Sequence, residues 1–382
     1  MSKAPYTSAL ISTIQEFSQY PRLAQALQTH SLSRNLHLLA IGKVAWQMAN
    51  IALKNLSPES ILDGFVLTKY GHVKGSLTNL QIREAGHPIP DANSFLHTRE
   101  ILTWLSSLPP QDELIVLLSG GGSALFEAVE VDRSPDEAAY QARITNLINL
   151  HEMLLGSGLD IAQMNRRRSE LSSVKAGKAL RFVPCHKIPV FALSDVQYND
   201  PLVIASGPFT GDDRVEYQII GDNLSFLKQW KSHLSPEFRV QIARKFLSDS
   251  AFQTARHLAG FALNAAPGIY LFGGETPVKV RGSGKGGRCS HLALCFAGHI
   301  QGDPSISLLA FATDGHDNLS ESSGAWVNGT TFKRIREAGI DPINAIRSND
   351  SYPALAAIGQ IMPDLNTHCN VNDVFMVVKS RG

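Results

Sequence analysis

The sequence predicts an α/β protein built as two α/β domains. Short, almost uninterrupted apolar runs, such as Leu36–Ile41 and Leu114–Leu118, alternate with stretches of helical spacing. Strands buried on both faces read this way, and their alternation with helices points to a parallel, doubly wound sheet. The pattern restarts near residue 268, and 382 residues exceed what one ordinary core accommodates.

Taken in order, the first 30 residues place Leu10, Ile11, Ile14, Phe17, Leu23 and Leu27 at helical spacing. Leu36–Ile41 is a strand that ends in Gly42-Lys43, and Val44–Leu53 is helix-forming. Gly64–Thr68 and Leu114–Leu118 repeat the strand signal. Ser134-Pro135-Asp136-Glu137 reads as a helix start, with a capping serine, a proline at the first helical position and a glutamate closing a capping box. That helix runs on toward Leu154, and a further strand, Ile188–Leu193, delivers Ser194-Asp195. Residues 224–264 show helical periodicity with no glycine before Gly260, and read as a bridge.

Beyond the bridge, Gly268–Phe272 is a strand that leads into Gly273-Gly274-Glu275-Thr276. Pro277–Val280 reads as a short β run, Arg281–Gly287 as a basic glycine-rich loop, and Arg288–Ala297 as helix. Ser305–Ala312 is a strand ending in Thr313-Asp314-Gly315, and Val374–Val378 closes the pattern. The expected division is therefore a domain over residues 1–225, a helical bridge over 226–265 and a second domain over 266–382.

Composition narrows the function classes. A hydrophobic fraction of 43%, a charged fraction of 18% and a net charge of +1 fit a soluble globular protein, and argue against nucleic acid as a partner. Cys185, Cys289, Cys295 and Cys369 form no CxxC pair, which excludes a zinc ribbon or a thioredoxin motif and suits free thiols in a reducing cytosol. The N-terminal residues lack a signal-peptide apolar stretch, and no run of about twenty apolar residues occurs, so no membrane partner is expected and the default location is cytoplasmic.

Several strands end in polar or glycine clusters, and ligands of open α/β sheets bind beyond such carboxyl ends. The sharpest cluster is Ser119-Gly120-Gly121-Gly122-Ser123. Three consecutive glycines expose backbone N–H groups with no side chains in the way, a natural seat for phosphate or carboxylate at a helix start. The bland alternative is an ordinary turn. Lys43 opens a helix after the first strand and suits an anionic group, although no P-loop surrounds it and a solvated lysine reads the same way. Asp195, Asp314 and Asp317 stand at strand ends, where carboxylates hold Mg²⁺ or accept a hydroxyl proton, or simply cap helices. Arg281, Lys285 and Arg288 in their glycine-rich loop suit a polyphosphate, and a cationic stretch over residues 166–187 suits a small anion.

Together these strings resemble the class II glycerate kinases, whose C-terminal half is called the MOFRL domain and some of whose members are named hydroxypyruvate reductases. The resemblance runs from about residue 8 to residue 378. It rests on Gly42-Lys43, Thr68-Lys69-Tyr70-Gly71-His72, Glu84-Ala85-Gly86-His87-Pro88-Ile89-Pro90-Asp91 and Ser119 to Leu125. It rests also on Leu193-Ser194-Asp195-Val196, Ile204-Ala205-Ser206-Gly207-Pro208, Gly273 to Thr276 and Gly286-Gly287-Arg288. Thr313-Asp314-Gly315, Asn349-Asp350-Ser351-Tyr352 and Asn370-Val371-Asn372-Asp373 complete it.

The resemblance implies an N-terminal Rossmann-like sheet, a smaller C-terminal MOFRL-type α/β domain and an active site in the cleft between them. It implies ATP- and Mg²⁺-dependent phosphorylation of D-glycerate, or a related small hydroxy acid, to 2-phosphoglycerate, by a phosphotransferase with an alcohol acceptor. The family's lysine after the first strand falls on Lys43, its glycine-rich substrate and phosphate loop on Ser119, Gly120, Gly121, Gly122 and Ser123, and its arginine on Arg168. Beside these, the residues themselves make Asp195 the expected third catalytic group, Asp195, Asp314 and Asp317 the expected metal ligands, and Gly273, Gly274, Glu275, Thr276, Lys285, Arg288, Asn349 and Asp350 expected substrate or phosphate contacts. A homodimer is compatible with the chain. The chain departs from the family pattern at Ser169-Glu170, Lys175-Ala176-Gly177-Lys178, Cys289-Ser290-His291, Ser320-Glu321 and His368-Cys369, beside ligand-type motifs. Two other readings stand beside the kinase: a non-catalytic binder of a nucleotide or sugar acid, and a hydroxypyruvate reductase. The reductase lacks a G-x-G-x-x-G after the first strand.

Overall fold

The structure is a computed structural model that describes residues 4–30, 35–57, 59–129, 137–155, 161–234, 238–318 and 321–381. The chain forms two compact units, Tyr20–Asp222 and Met1–Gln19 with Asn223–Gly382.

The first unit holds a six-stranded sheet. Its strands are β1 (Leu36–Ile41), β2 (Ile61–Lys69), β3 (Leu80–Ala85), β4 (Glu113–Leu118), β5 (Ile188–Leu193) and β6 (Val215–Gly221). They lie in the order β3-β2-β1-β4-β5-β6, and every pairing is parallel. This is the Rossmann-type order, whose reversal point falls between β1 and β4. All residues of β1, β4 and β5 are buried, as apolar runs covered on both faces require. Ile41 pairs with Leu67 on one side and Leu118 on the other, so the segments after β1, β2 and β4 leave the sheet level with one another.

The second unit holds β7 (Val240–Ile242), β8 (Gly268–Gly274), β9 (Ile306–Ala312), β10 (Ser322–Asn328), β11 (Ile361–Pro363) and β12 (Asp373–Lys379). Their order is β11-β10-β9-β12-β8-β7. This sheet is mixed: β7 and β8 are parallel, and β12 runs antiparallel between β8 and β9. The start of β12 therefore sits between the ends of β8 and β9, with Asp373 opposite both Gly274 and Ala312.

The N-terminal helical signal divides at Tyr20, which is left-handed at φ 44°, with Pro21 opening the next helix. Ala4–Phe17 and Pro21–Thr29 thus belong to different units. Tyr6 stacks on Trp326, Phe17 meets Phe226 edge-on, and Leu10 is fully buried. Residues 4–19 pack into the second unit's core rather than into the first domain expected from the sequence.

The bridge expected over 226–265 is part of the same unit. It comprises the helices Asn223–His233 and Ala251–Asn264 with β7 between them, because Ile242 and its neighbours extend the second sheet beside β8. Pro277–Val280 forms no strand; the backbone there has no regular partner. The helix expected from Ser134 spans Glu137–Leu155, and its capping residues, Ser134 and Pro135, lie outside the described residues. All four cysteines are buried free thiols. No helix among the described residues is long and apolar enough to cross a membrane.

Candidate active site

The reversal point of the first sheet carries the most specialised backbone of that unit. Gly42 has φ +129°, and a Cβ there would stand 2.1 Å from Ser119 Oγ and 2.5 Å from Ser119 O. Only glycine lets the turns after β1 and β4 approach so closely. Three hydrogen bonds lace them together: Ser119 N–H donates to Ile41 O, Lys43 N–H to Gly120 O, and Val44 N–H to Ser119 Oγ.

Gly121 is left-handed at φ +88°. A Cβ on it would lie 2.9 Å from Lys43 Cγ and 3.1 Å from His87 Cδ2, so the lysine stem and the histidine ring converge on this glycine. The N–H groups of Gly120, Gly121 and Gly122 meet no acceptor among the described residues. The helix that follows these amides is a single turn, Gly122–Leu125, too short to carry a long helix dipole.

A second loop backs the nest. Ala205, Ser206 and Gly207 are all left-handed, with φ of 51°, 62° and 61°. Non-glycine residues in that region carry about 1–3 kcal/mol of strain each. Ala205 Cβ stands 2.8 Å from where a Cβ on Gly122 would be, and the hydroxyls of Ser206 and Ser123 are 2.7 Å apart. Sequence reasoning assigned no role to His87 or to Ala205-Ser206; both lie in strings that carried the family resemblance.

Arg168 ends the helix Ile161–Leu171 and is 6% exposed. Its Nε has no hydrogen-bond partner, and burial lowers its pKa against the pull of Glu127. Asp195 follows β5 and is half-buried, close enough to Tyr217 to help raise that phenol, whose main perturbation is burial.

The expected cationic wall over 166–187 is largely spoken for. Lys178 Nζ donates to the carbonyls of Ser169 and Ser172, tying down the end of the helix Ile161–Leu171. Lys175 is buried against Glu127. Glu170 faces Arg167 in solvent at 3.7 Å.

In the second unit, the ends of β8 and β9 and the start of β12 gather a charged cluster. The Arg288 guanidinium donates to both oxygens of buried Asp373, at 3.1 and 3.0 Å, and to Glu275 at 3.1 Å. Burial raises the Asp373 carboxyl above its ordinary range, with Arg288 pulling the other way, while Asp373 in turn holds the guanidinium well above its usual value. Arg288, expected to meet a phosphate, is thus engaged in an internal ion pair with Asp373 and Glu275.

Asp317 differs from its expected role as a metal ligand. Its carboxylate accepts the N–H groups of Cys289 and Ser290, 2.8 Å each, and so satisfies the start of the helix Arg288–His299. Burial raises its pKa despite these bonds. Among the described residues no three metal-ligating side chains cluster. Asp314 is half-buried and accepts the His316 N–H.

Asn349 and Asp350 also serve the fold. Their side chains accept the N–H groups of Arg281 and Lys285, and Gly284 N–H donates to Ser348 O. The glycine-rich loop is thus pinned against residues 348–351, with the Lys285 side chain exposed. Cys289 and His291 are buried within the helix, where burial holds the imidazole at about 4 and hence neutral. Those two departures from the family pattern therefore lie in the core.

Residues 7–240 match the family described as domain of unknown function DUF4147, and residues 268–373 match the MOFRL family. With this fold and this pair of domains, the chain belongs to the class II glycerate kinases. Among its relatives, D-glycerate 2-kinase of Thermotoga maritima is 34% identical over 89% of each chain. Glycerate 2-kinase of Pyrococcus horikoshii is 30% identical over 90% of this chain and 87% of its own. A relative from Agrobacterium vitis, 29% identical over 88% of this chain and 85% of its own, carries a hydroxypyruvate reductase name. The crystal structure of the Thermotoga maritima glycerate kinase superposes with a TM-score of 0.86 at 31% identity, covering 99% of both chains.

Proposed function

We propose that the chain is a glycerate 2-kinase, moving the γ-phosphoryl group of ATP to the 2-hydroxyl of D-glycerate and releasing 2-phosphoglycerate and ADP. The observation that supports this is the row of acceptor-less amides at Gly120–Gly122, set at the sheet's reversal point with Lys43 alongside, in a chain whose relatives carry that name. Phosphoryl transfer asks for positioning and charge stabilisation rather than covalent chemistry from the protein. Lys43 and Arg168 neutralise carboxylate and phosphoryl charge, the nest amides hold an anionic group, and Asp195 orients the attacking hydroxyl and accepts its proton. Gly273 to Thr276 and Lys285 are the phosphate contacts of the second unit.

The side chains do not fit a dedicated metal cage, since Asp317 caps a helix and no ligand triad forms among the described residues. Mg²⁺ entering on the nucleotide's phosphates needs only one or two protein carboxylates, and Asp195 and Asp314 are the candidates.

A coupled assay with ATP and D-glycerate tests the reading. ADP release is expected, with a product that enolase dehydrates directly, and Lys43→Ala and Arg168→Ala should each lower kcat/KM strongly. No ADP release with D-glycerate or other small hydroxy acids refutes it; ligand-dependent thermal stabilisation without turnover would instead favour a binder. The relatives' reductase name motivates one further assay, NADH oxidation with hydroxypyruvate. The Gly42-Lys43-Val44 turn after β1 lacks the dinucleotide fingerprint, so none is expected.

A further inference from the structure

Beneath the nest lies a set of ionisable side chains that the proposed chemistry does not use. Glu127, Lys175 and His151 are each 1% exposed or less, and Ser172 is 2% exposed. Burying charges is costly unless every partner is supplied. Here they are supplied. The Glu127 carboxylate accepts from Ser172 Oγ at 2.5 Å, from Ala128 N–H at 3.1 Å and from Lys175 Nζ at 2.6 Å, and faces His151 Nε2 at 3.1 Å. Four partners fill a carboxylate's accepting capacity. Burial alone would push the carboxyl up, but Lys175 and His151 outweigh it and hold Glu127 ionised. Burial also lowers His151, which keeps the imidazole neutral.

Lys175 carries one more bond, and it leaves the cluster. Its Nζ donates to the carbonyl oxygen of Ser123 at 2.6 Å. Ser123 is the last residue of the glycine turn, and its hydroxyl meets that of Ser206, which in turn bonds Asn165. That carbonyl belongs to the Ser123–Ala124 peptide, two peptides beyond the one that carries the Gly122 N–H. A buried ammonium thus anchors the C-terminal end of the turn whose preceding peptides present the Gly120–Gly122 amides.

We infer that Lys175 and Glu127 are positioning residues for the anion nest: Lys175 locks the Ser123 carbonyl, and Glu127 fixes Lys175 in place. This rests on the reading of the nest as the seat of the substrate's or nucleotide's anionic group. Neither residue touches the ligand.

A paired substitution separates positioning from simple structural support. Lys175→Met alone strands the Glu127 carboxylate and is expected to lower Tm strongly. Glu127→Gln/Lys175→Met removes both charges together. The glutamine oxygen still accepts from Ser172 and Ala128, and its amide faces a His151 ring that changes tautomer. Stability therefore returns to within a few degrees of the parent. Ser123 O stays unfastened, so the KM for D-glycerate or ATP, whichever seats its anionic group in the nest, should rise about tenfold or more, with the other changed less than about twofold. Inorganic phosphate, titrated by calorimetry, should weaken in parallel. A double variant with parental stability, both KM values and phosphate affinity overturns the inference while leaving the kinase reading intact. A parent that binds phosphate but turns over nothing fails the kinase reading, and the phosphate titration of the pair then decides this one. If the pair does not fold, Lys175→Arg is read instead. It keeps the charge but misplaces the donor, so the same rise is expected, and parental KM and phosphate values overturn the inference.

Discussion

Alanine at Gly122 is the substitution that most directly couples the nest to the loop behind it. The φ of Gly122 lies outside the left-handed region, so its backbone tolerates a side chain. The space does not. A new Cβ would stand 2.8 Å from Ala205 Cβ and 3.3 Å from Ile41 Cγ2, where ordinary contact begins at 3.4 Å. Either the nest or the Ala205–Gly207 loop must give by roughly 0.6 Å or more, at an overpacking cost of about 1–3 kcal/mol. For a unit of this size that lowers Tm by roughly 3–10 °C. Because a displacement of about 1 Å near a reacting group can cost about 100-fold, kcat/KM should fall by about 10- to 100-fold. Ala205→Gly in the same chain removes the opposing methyl and relieves a left-handed alanine, so the double variant should regain most of both losses. Tm by calorimetry and steady-state ATP turnover read the outcome. Gly122→Ala with parental Tm and kcat/KM, or a double variant that regains neither, refutes the packing argument.

Further expectations concern the second unit. Arg288→Met leaves Asp373 buried without its guanidinium and should cost about 3–5 kcal/mol at neutral pH. A carboxyl raised in the fold binds its proton more tightly folded than unfolded, so its contribution worsens as pH rises from the ordinary carboxylate range through the raised value. The variant should therefore recover relative to the parent on acidification, and urea midpoints that track the parent at every pH would contradict this. For His291, held at about 4, the sign is opposite. Its neutral burial favours the fold fully above about pH 6.5, and that contribution is lost as pH falls toward 4. His291→Gln should flatten the acid limb of stability between those values, measured as denaturation midpoints against pH. Asp317→Ala should destabilise by about 2–4 kcal/mol by orphaning two helix N–H groups, without changing the Mg²⁺ dependence of turnover. A shifted Mg²⁺ dependence would return Asp317 to the metal.

The first sheet was readable because its central strands are buried on every residue and almost uninterruptedly apolar, and Leu36–Ile41, Leu114–Leu118 and Ile188–Leu193 appear as written. Edge strands were not. Leu80–Ala85 and Val215–Gly221 mix buried and exposed positions; nor was the interior strand Ser322–Asn328 of the second sheet, which hides two serines. The direction of β12 has no signal in its residues, so the mixed character of the second sheet emerged only from pairing. Tyr20 gave no warning of a helix break, since a left-handed tyrosine is not a sequence rule. In the site, the glycine turn was legible because backbone freedom is written in residue type. What surrounds it was not: Lys175 reads as a surface cation until Glu127 is brought to it, and Asp317 reads as a ligand until the helix it caps arrives. Such roles depend on contacts between distant stretches of chain.

The placement of the helix Ala4–Phe17 bears on how the chain is made. Synthesis delivers this helix well before its partners, since Tyr6 stacks on Trp326 and Phe17 meets Phe226 edge-on. Residues 20–222 have their whole core available while the ribosome is still translating the remainder. Tyr6, Leu10, Ile14 and Phe17 must wait with their apolar faces uncovered until the second sheet emerges. Over that interval the nascent chain exposes a sticky amphipathic segment, a natural ligand for a chaperone, and trimming the first nineteen residues would remove that hazard only by leaving a hole in the last part to fold.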